Sequence, residues 1–245
     1  MSADPPDISA VLKLSRQGLF AHNSLRSLAD ACARASNAGL TVERLIVVDR
    51  PDQVTADYLE SAHEFGAEIS VIDPDDEGAA RNFGTARARG RYVAVLDGGD
   101  LWCENWLVDA HVQANIHGPT VILHPESKLL FGNDIDPFWA MNHDSDTALG
   151  DSTLLALNDS WSSSHFAAKC ILEEVPFIED SHGGTEIDAA WSWNCEIVAR
   201  GYQHRIVPGT VHFMRHDRRP GSGGSSEERY FTAPSRLFRR RLWER

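Results

Sequence analysis

Short apolar runs alternate with amphipathic stretches through the first hundred residues. Ile8–Leu14 is a mostly apolar run interrupted by Lys13 and predicts a first strand. Over residues 19–35, Leu19, Leu25, Leu28, Ala29 and Cys32 recur at helical spacing and could form one apolar face. Residues 44–49 (RLIVVD) are apolar and end in an acid, the pattern of a buried parallel strand. A helix is predicted over 52–65, a strand over 68–73, a helix over 77–90 and a fourth strand over 91–96 (RYVAVL). This alternation implies right-handed βαβ units and a mainly parallel sheet flanked by helices, an α/β fold.

The second half is less regular. Residues 120–124 predict a strand, and 127–152 read as loop-rich, with Gly, Asn, Asp and Pro throughout. Residues 187–200 have a helical pattern with Gly201 placed to cap its C-terminus. Two short strands are expected over 204–207 and 210–214, then a flexible loop over 218–228 (RRPGSGGSSEE). The expected organisation is one domain over residues 1–217, split into a regular half (8–107) and a loop-rich half (108–217). Residues 218–245 would follow as a flexible loop and basic tail.

Composition narrows the class. The 245 residues are 42% hydrophobic and 24% charged, enough to bury a core without disulfides. Cys32, Cys103, Cys170 and Cys195 are scattered with no CxxC pair, which suits a reducing compartment. The polar, proline-bearing start does not read as a secretory signal, and no apolar run approaches the ~20 residues of a membrane helix. A cytoplasmic protein is expected. A net charge of −13 argues against a nucleic-acid surface. Residues 215–245 run the other way, with nine arginines against four acidic groups. That tail reads either as a solvated helix with a small docking face or as a peripheral contact with the anionic inner face of a membrane.

Three stretches fall where an open α/β sheet binds ligands, beyond the carboxyl ends of its strands. Asp49 and Asp52 follow the second strand and can accept hydrogen bonds from a base or ribose, or cap the next helix at Thr55. Arg81 and Asn82 lie in a helix opening with Gly78 and could hold phosphate or sugar. Asp97 and Asp100 follow the fourth strand, where two desolvated carboxylates need a cationic partner such as a divalent ion.

Together these residues resemble family 2 glycosyltransferases of the GT-A fold. The most specific stretch is GAARNFGTARARGRYVAVLDGGDLWCENWL, residues 78–107, with an ARN-x-G helix, an A-x-G-x-Y-[VI] strand and an acidic motif followed by tryptophan. The resemblance extends through HPE at 124–126, Phe131-Gly132, the Trp191 to Cys195 stretch and PGTVHFMR at 208–215. It implies a Rossmann-like sheet whose 8–107 half binds a nucleotide-diphosphate sugar and whose 108–217 half meets the acceptor. It also implies inverting, Mg²⁺- or Mn²⁺-dependent transfer to a hydroxyl of a glycan or lipid-linked acceptor. Carried over, Asp49 would touch the base or ribose and Arg81 would lie near the donor. Asp97 would sit at the ribose and metal, with Asp100 and His212 completing the metal site.

Two departures stand out. The second carboxylate of the acidic motif is replaced by Gly99, and the Glu-Asp pair that supplies the catalytic base by Ala189 and Ala190. Alanine cannot take a proton, which leaves Asp188 and Glu186 as the candidate bases. A degenerate relative that binds a nucleotide-sugar or a partner without turnover is therefore the alternative. A dinucleotide oxidoreductase is disfavoured because KLSRQG, residues 13–18, stands where GxGxxG would be needed. His124, His204 and His216 are expected to be structural or surface groups. Trp191 and Trp193 cannot share a helix face, so one is expected in the core and the other near the acceptor cleft. Residues 158–161 are a further candidate acceptor contact.

Overall fold

The computed structural model describes residues 4–61, 65–133, 135–150, 152–159, 161–179, 188–216, 232 and 235–237. Strands β1 (Ile8–Leu14), β2 (Val42–Asp49), β3 (Glu68–Ile72) and β4 (Tyr92–Asp97) form a parallel block in the order β3-β2-β1-β4. β8 (His165–Ala168) joins it antiparallel to β4 and links it to β6 (Val121–Phe131), which pairs in parallel with β9 (Gln203–Arg215). The two-residue β5 (Leu101–Trp102) lies antiparallel on β9, and β7 (Phe138–Met141) folds back on β6.

Among the described residues the α-helices are α1 (Ala21–Asn37), α2 (Gln53–Ser61), α3 (Glu77–Arg87), α4 (Trp106–His117), α5 (Lys169–Glu174) and α6 (Ala189–Ala199). They cover both faces. Ile8, Leu12, Leu14, Ile46 and Leu96 pack with Leu25 and Leu28 of α1 and Trp106 of α4. On the opposite face Val11, Val47, Val93 and Val95 meet Ala80 of α3, Ile171 of α5 and Trp193 of α6. Strand side chains alternate between faces, so the second set continues to Lys13, Asp49 and Asp97 at the strand ends. The fold thereby aims three charged groups at one edge, beneath α3.

Residues 127–152 contain more strand than their turn residues suggest. β6 runs through Pro125 to Phe131, because the register shift between Pro125 and Ser127 accommodates a proline without a lost ladder bond. The two short strands expected near the C-terminus are one strand, β9, bulged around Pro208 and Gly209 opposite that shift. Thr210 closes the bulge: its hydroxyl donates to Val207 O at 2.6 Å and accepts from Glu126 N at 3.2 Å. α4, β5, β8 and α5 have no counterpart in the sequence reading.

Helix α3 approaches the segment after α5 so closely that Gly78 leaves no room for a side chain. A Cβ there would stand 1.8 Å from the carbonyl oxygen of Ile178. Gly78→Ala should therefore lose about 1–3 kcal/mol of stability, read as a lower urea midpoint with an unchanged slope. A midpoint equal to wild type would show that the approach is not tight in solution.

Candidate active site

Lys13 and Asp97 are Cα partners across β1 and β4, and α3 brings Glu77 and Arg81 onto them one helical turn apart. Arg81 is 2% exposed, and its Nη2 donates to both oxygens of Asp97 at 2.8 and 2.7 Å. Lys13, which interrupts the apolar run of β1, is 7% exposed because it pairs with Glu77 at 2.8 Å and Asp97 at 3.5 Å. Burial opposes ionisation of Asp97. Arg81, Lys13 and the Ser163 hydroxyl outweigh it and hold the carboxyl well below its usual range. Glu77 is likewise lowered, first by Lys13 and then by Arg81.

Asp100 and His212 form a second pair. The turn after β4 closes through Asp100 N to Asp97 O at 3.1 Å, with Gly99 at φ +96° and its N–H donated to Ser24 Oγ at 2.9 Å. That backbone region favours glycine. A side chain at 99 would also come 3.5 Å from Cδ of Arg215, whose guanidinium lies 3.2 Å over the Phe20 ring. Antiparallel pairing sets Trp102 opposite His212 and brings Asp100 Oδ2 to 2.8 Å from His212 Nε2. Asp100 Oδ1 accepts from Arg215 N at 2.8 Å. Burial pushes the Asp100 carboxyl above its usual value, against the pull of His212.

Residues 161–164 tie the two pairs together. The Ser162 hydroxyl contacts His212 Nδ1, Ser163 reaches Asp97, and Ser164 Oγ accepts from Trp102 Nε1 at 2.7 Å. Lys13, Glu77, Ser162 and Ser163 were not singled out by sequence reasoning. The signal for Lys13 was present: a lone lysine in a buried strand needs a buried anion.

The remaining expected residues are placed as follows. Asp49 is buried, and its oxygens accept from the backbone N–H groups of Asp75 at 3.0 Å and Asp76 at 2.8 Å, fixing the turn before α3. Asp52 Oδ1 caps α2 through Thr55 N at 2.8 Å, so the helix-cap alternative describes it. Asn82 turns away from Asp97 and pins Phe177, donating to its carbonyl at 2.9 Å and accepting from its N–H at 2.8 Å. Asp188 is the N-cap of α6, accepting from Trp191 N at 2.8 Å. Glu186 lies outside the described residues. Ala189 and Ala190 form the first turn of α6.

His124 and His204 are buried and joined through Nε2 and Nδ1 at 2.8 Å, while His216 is exposed. Trp193 is the core tryptophan, stacked on Phe177. Trp191 is half-buried and donates to Leu155 O at 2.9 Å. Of the basic tail, Leu237 packs with Leu155, Trp161 and Cys195, and Arg236 N donates to Glu196 at 2.9 Å. No described helix is long and apolar enough to cross a membrane.

A divalent ion can be tested against these groups. Two neighbouring ligands of an octahedral ion at about 2.1 Å stand about 3 Å apart, close to the Asp100–His212 spacing. Among the described residues no cluster of three or more acidic, histidine or cysteine groups is suited to a metal. Asp100 and His212 are thus two groups at ligand spacing, joined to each other by a hydrogen bond.

Residues 19–123 match the family model described as Glycosyl transferase family 2. The curated proteins contain no match. Among solved structures, TarS 1–349 from S. aureus superposes with a TM-score of 0.59 at 14% identity, over 85% of this chain and 60% of that one. Its complex with UDP-GlcNAc gives a TM-score of 0.60 at 14% identity, over 90% of this chain and 61% of that one. The longer S. aureus TarS structure gives 0.61 at 14% identity, over 86% and 37%. The present chain therefore spans about 60% of the shorter TarS chain. Its sheet order and flanking helices are those of the GT-A fold, and residues 19–123 are similar to family 2 glycosyltransferases.

Proposed function

We propose that this chain transfers a sugar from a nucleotide-diphosphate sugar to a hydroxyl of a glycan or lipid-linked acceptor, with inversion. The observation that carries the reading is the convergence of Lys13–Arg81–Asp97 and Asp100–His212 at one sheet edge, with Arg81, Asp97 and Asp100 inside the segment that matches the family. TarS, of the same fold, has been solved with UDP-GlcNAc and with UDP, which supports a nucleotide-sugar ligand here.

In this reading Asp49 fixes the turn that borders the base and ribose, and Asp52 supports it by starting α2. Asn82 acts on the donor indirectly, by holding Phe177 beside Arg81. Asp97 takes the ribose side, kept ionised and oriented by Arg81. Asp100 and His212 would hold Mg²⁺ or Mn²⁺, which neutralises charge on the leaving diphosphate. Ser162 orients the His212 ring from its other nitrogen. The acceptor approaches from the 108–217 half, where Asp188, Asp159 and Trp161 border α6. A cytoplasmic site, peripheral at the inner membrane face, would give a lipid-linked acceptor access to that half.

Thermal stability against UDP-GlcNAc, UDP-glucose, GDP-mannose and dTDP-glucose, with and without Mn²⁺, tests the reading. A ligand bound only by the native state should stabilise it by ~2.7 kcal/mol at a hundredfold excess over Kd. His212→Ala should abolish the Mn²⁺-dependent part of the shift and cut donor turnover at least ~100-fold. No shift with any nucleotide-sugar would reject the reading in favour of a partner-binding relative. Binding without turnover would mark a degenerate enzyme.

A further inference from the structure

The replacement of the family's carboxylate pair by Ala189 and Ala190 leaves the acceptor's proton without an obvious destination. We infer that Asp159, fastened to α6 by Asn194, is the group that takes this proton, an inference that rests on the transfer reading above.

The geometry is specific. Asp159 is half-buried, and Asn194 Nδ2 donates to its Oδ1 at 2.8 Å while Trp161 N donates to the same oxygen at 3.4 Å. Among the described residues both hydrogen bonds fall on Oδ1, which leaves Oδ2 for substrate. Three residues further along the same segment, at a span of at most about 10 Å, Ser162 touches His212 of the proposed metal pair. The opposite side of the segment is anchored by Trp161 Nε1 to His143 O at 2.7 Å. A base must be held in place by groups that do not themselves accept its proton, and Asn194 meets that condition.

The charged neighbours suit the task. Asp188 lies near Asp159 from the start of α6, and Cys195 faces it from within the helix. Lys128 approaches from β6, where its Cα pairs with His212. Burial, reinforced by Asp188 and opposed by Asn194 and Lys128, raises the Asp159 carboxyl to about 6. Asp188, whose Oδ1 caps α6, then serves as a positioning charge. His165, a buried titratable group near Asp97, is unsuited: it is 2% exposed and wedged against Phe177 and Trp193.

In the step itself the acceptor oxygen forms a bond to the anomeric carbon as the carbon–oxygen bond to the diphosphate breaks. The bonding pair leaves with the diphosphate, and the hydroxyl proton passes to Asp159 Oδ2. Water can stand in for the acceptor, so hydrolysis of the best-bound nucleotide-sugar of the panel, with Mn²⁺, is the assay. Asp159→Asn, which preserves the bonds from Asn194 and Trp161, should lower kcat ~100-fold or more with the donor-induced thermal shift unchanged. Asp188→Asn should keep kcat within about tenfold and move the acid limb of the kcat profile to lower pH. An Asp159→Asn protein with wild-type kcat, or an Asp188→Asn acid limb that does not move, overturns the assignment alone. Absence of any donor shift in wild type would overturn the transfer reading and the assignment with it.

Discussion

Arg81→Leu is expected to lower the unfolding free energy by about 3–5 kcal/mol, among the largest effects of any single change in the chain. The guanidinium is buried and satisfies both oxygens of Asp97. Leucine fills much of the volume but strands an anion at the end of β4. Lys13 at 3.5 Å supplies partial compensation, which sets the loss toward the lower end of that range. Two further measurements isolate the cause. The double variant Arg81→Leu, Asp97→Asn should recover a large part of the loss, because the stranded charge is gone. The single variant should also lose less at pH 4 than at pH 7, where its Asp97 is fully ionised. Urea midpoints at both pH values decide the matter. A loss below about 1 kcal/mol at pH 7 would mean that the ion pair is replaceable by water.

Acidification gives the second large effect. Burial lowers the protonation of His165 to about 4 and of His204 to about 3, and places His124 well below its ordinary value. Their unfolded counterparts protonate near 6.5. The histidines therefore contribute stability that is complete above pH 6.5 and lost as pH falls toward 4, since only the unfolded chain takes up protons there. Asp159 works in the opposite direction: raised to about 6, it stabilises the native state progressively as pH falls from 6 to 4. The three histidines against Asp159 leave about two net protons, and Asp100, also raised by burial, trims that difference. At about 1.4 kcal/mol per proton per pH unit, lowering pH from 6 to 4.5 should cost at most roughly 4 kcal/mol. Urea melts across that interval measure the slope directly. A flat profile would require that the histidines protonate in place, without unfolding.

The first four strands were legible because a parallel strand covered on both faces must be apolar almost throughout, and Leu45–Val48 of β2 and Tyr92–Leu96 of β4 meet that rule up to the terminal acid. Lys13 looked like a flaw in β1, since nothing local reveals that α3 brings it Glu77 and β4 brings it Asp97. Helix α4 escaped notice for the opposite reason. WLVDAHVQANIH is apolar on more than one side, since Val112 and Ile116 are exposed opposite the buried Trp106, Leu107, Ala110 and Ala114, so no single stripe marks it. Pro125 and the Pro208-Gly209 pair read as breaks, although each sits at an irregularity that lets a long strand continue. The candidate site divides along the same line. Asp97, Arg81, Asp100 and His212 could be found from local motif spacing and family resemblance. Ser162, Ser163 and the fastening of Asp159 depend on a segment with no periodicity, whose partners lie 35 to 66 residues away in the chain.

The turn at Gly99 also constrains how this chain can change by descent. With φ at +96° and its N–H committed to Ser24, position 99 accepts an aspartate only under backbone strain of about 1–2 kcal/mol. Its side chain would emerge against Arg215. A second carboxylate at that position therefore comes with a distorted or rebuilt turn, so the site as folded works with Asp97, Asp100 and His212 and no third carboxylate.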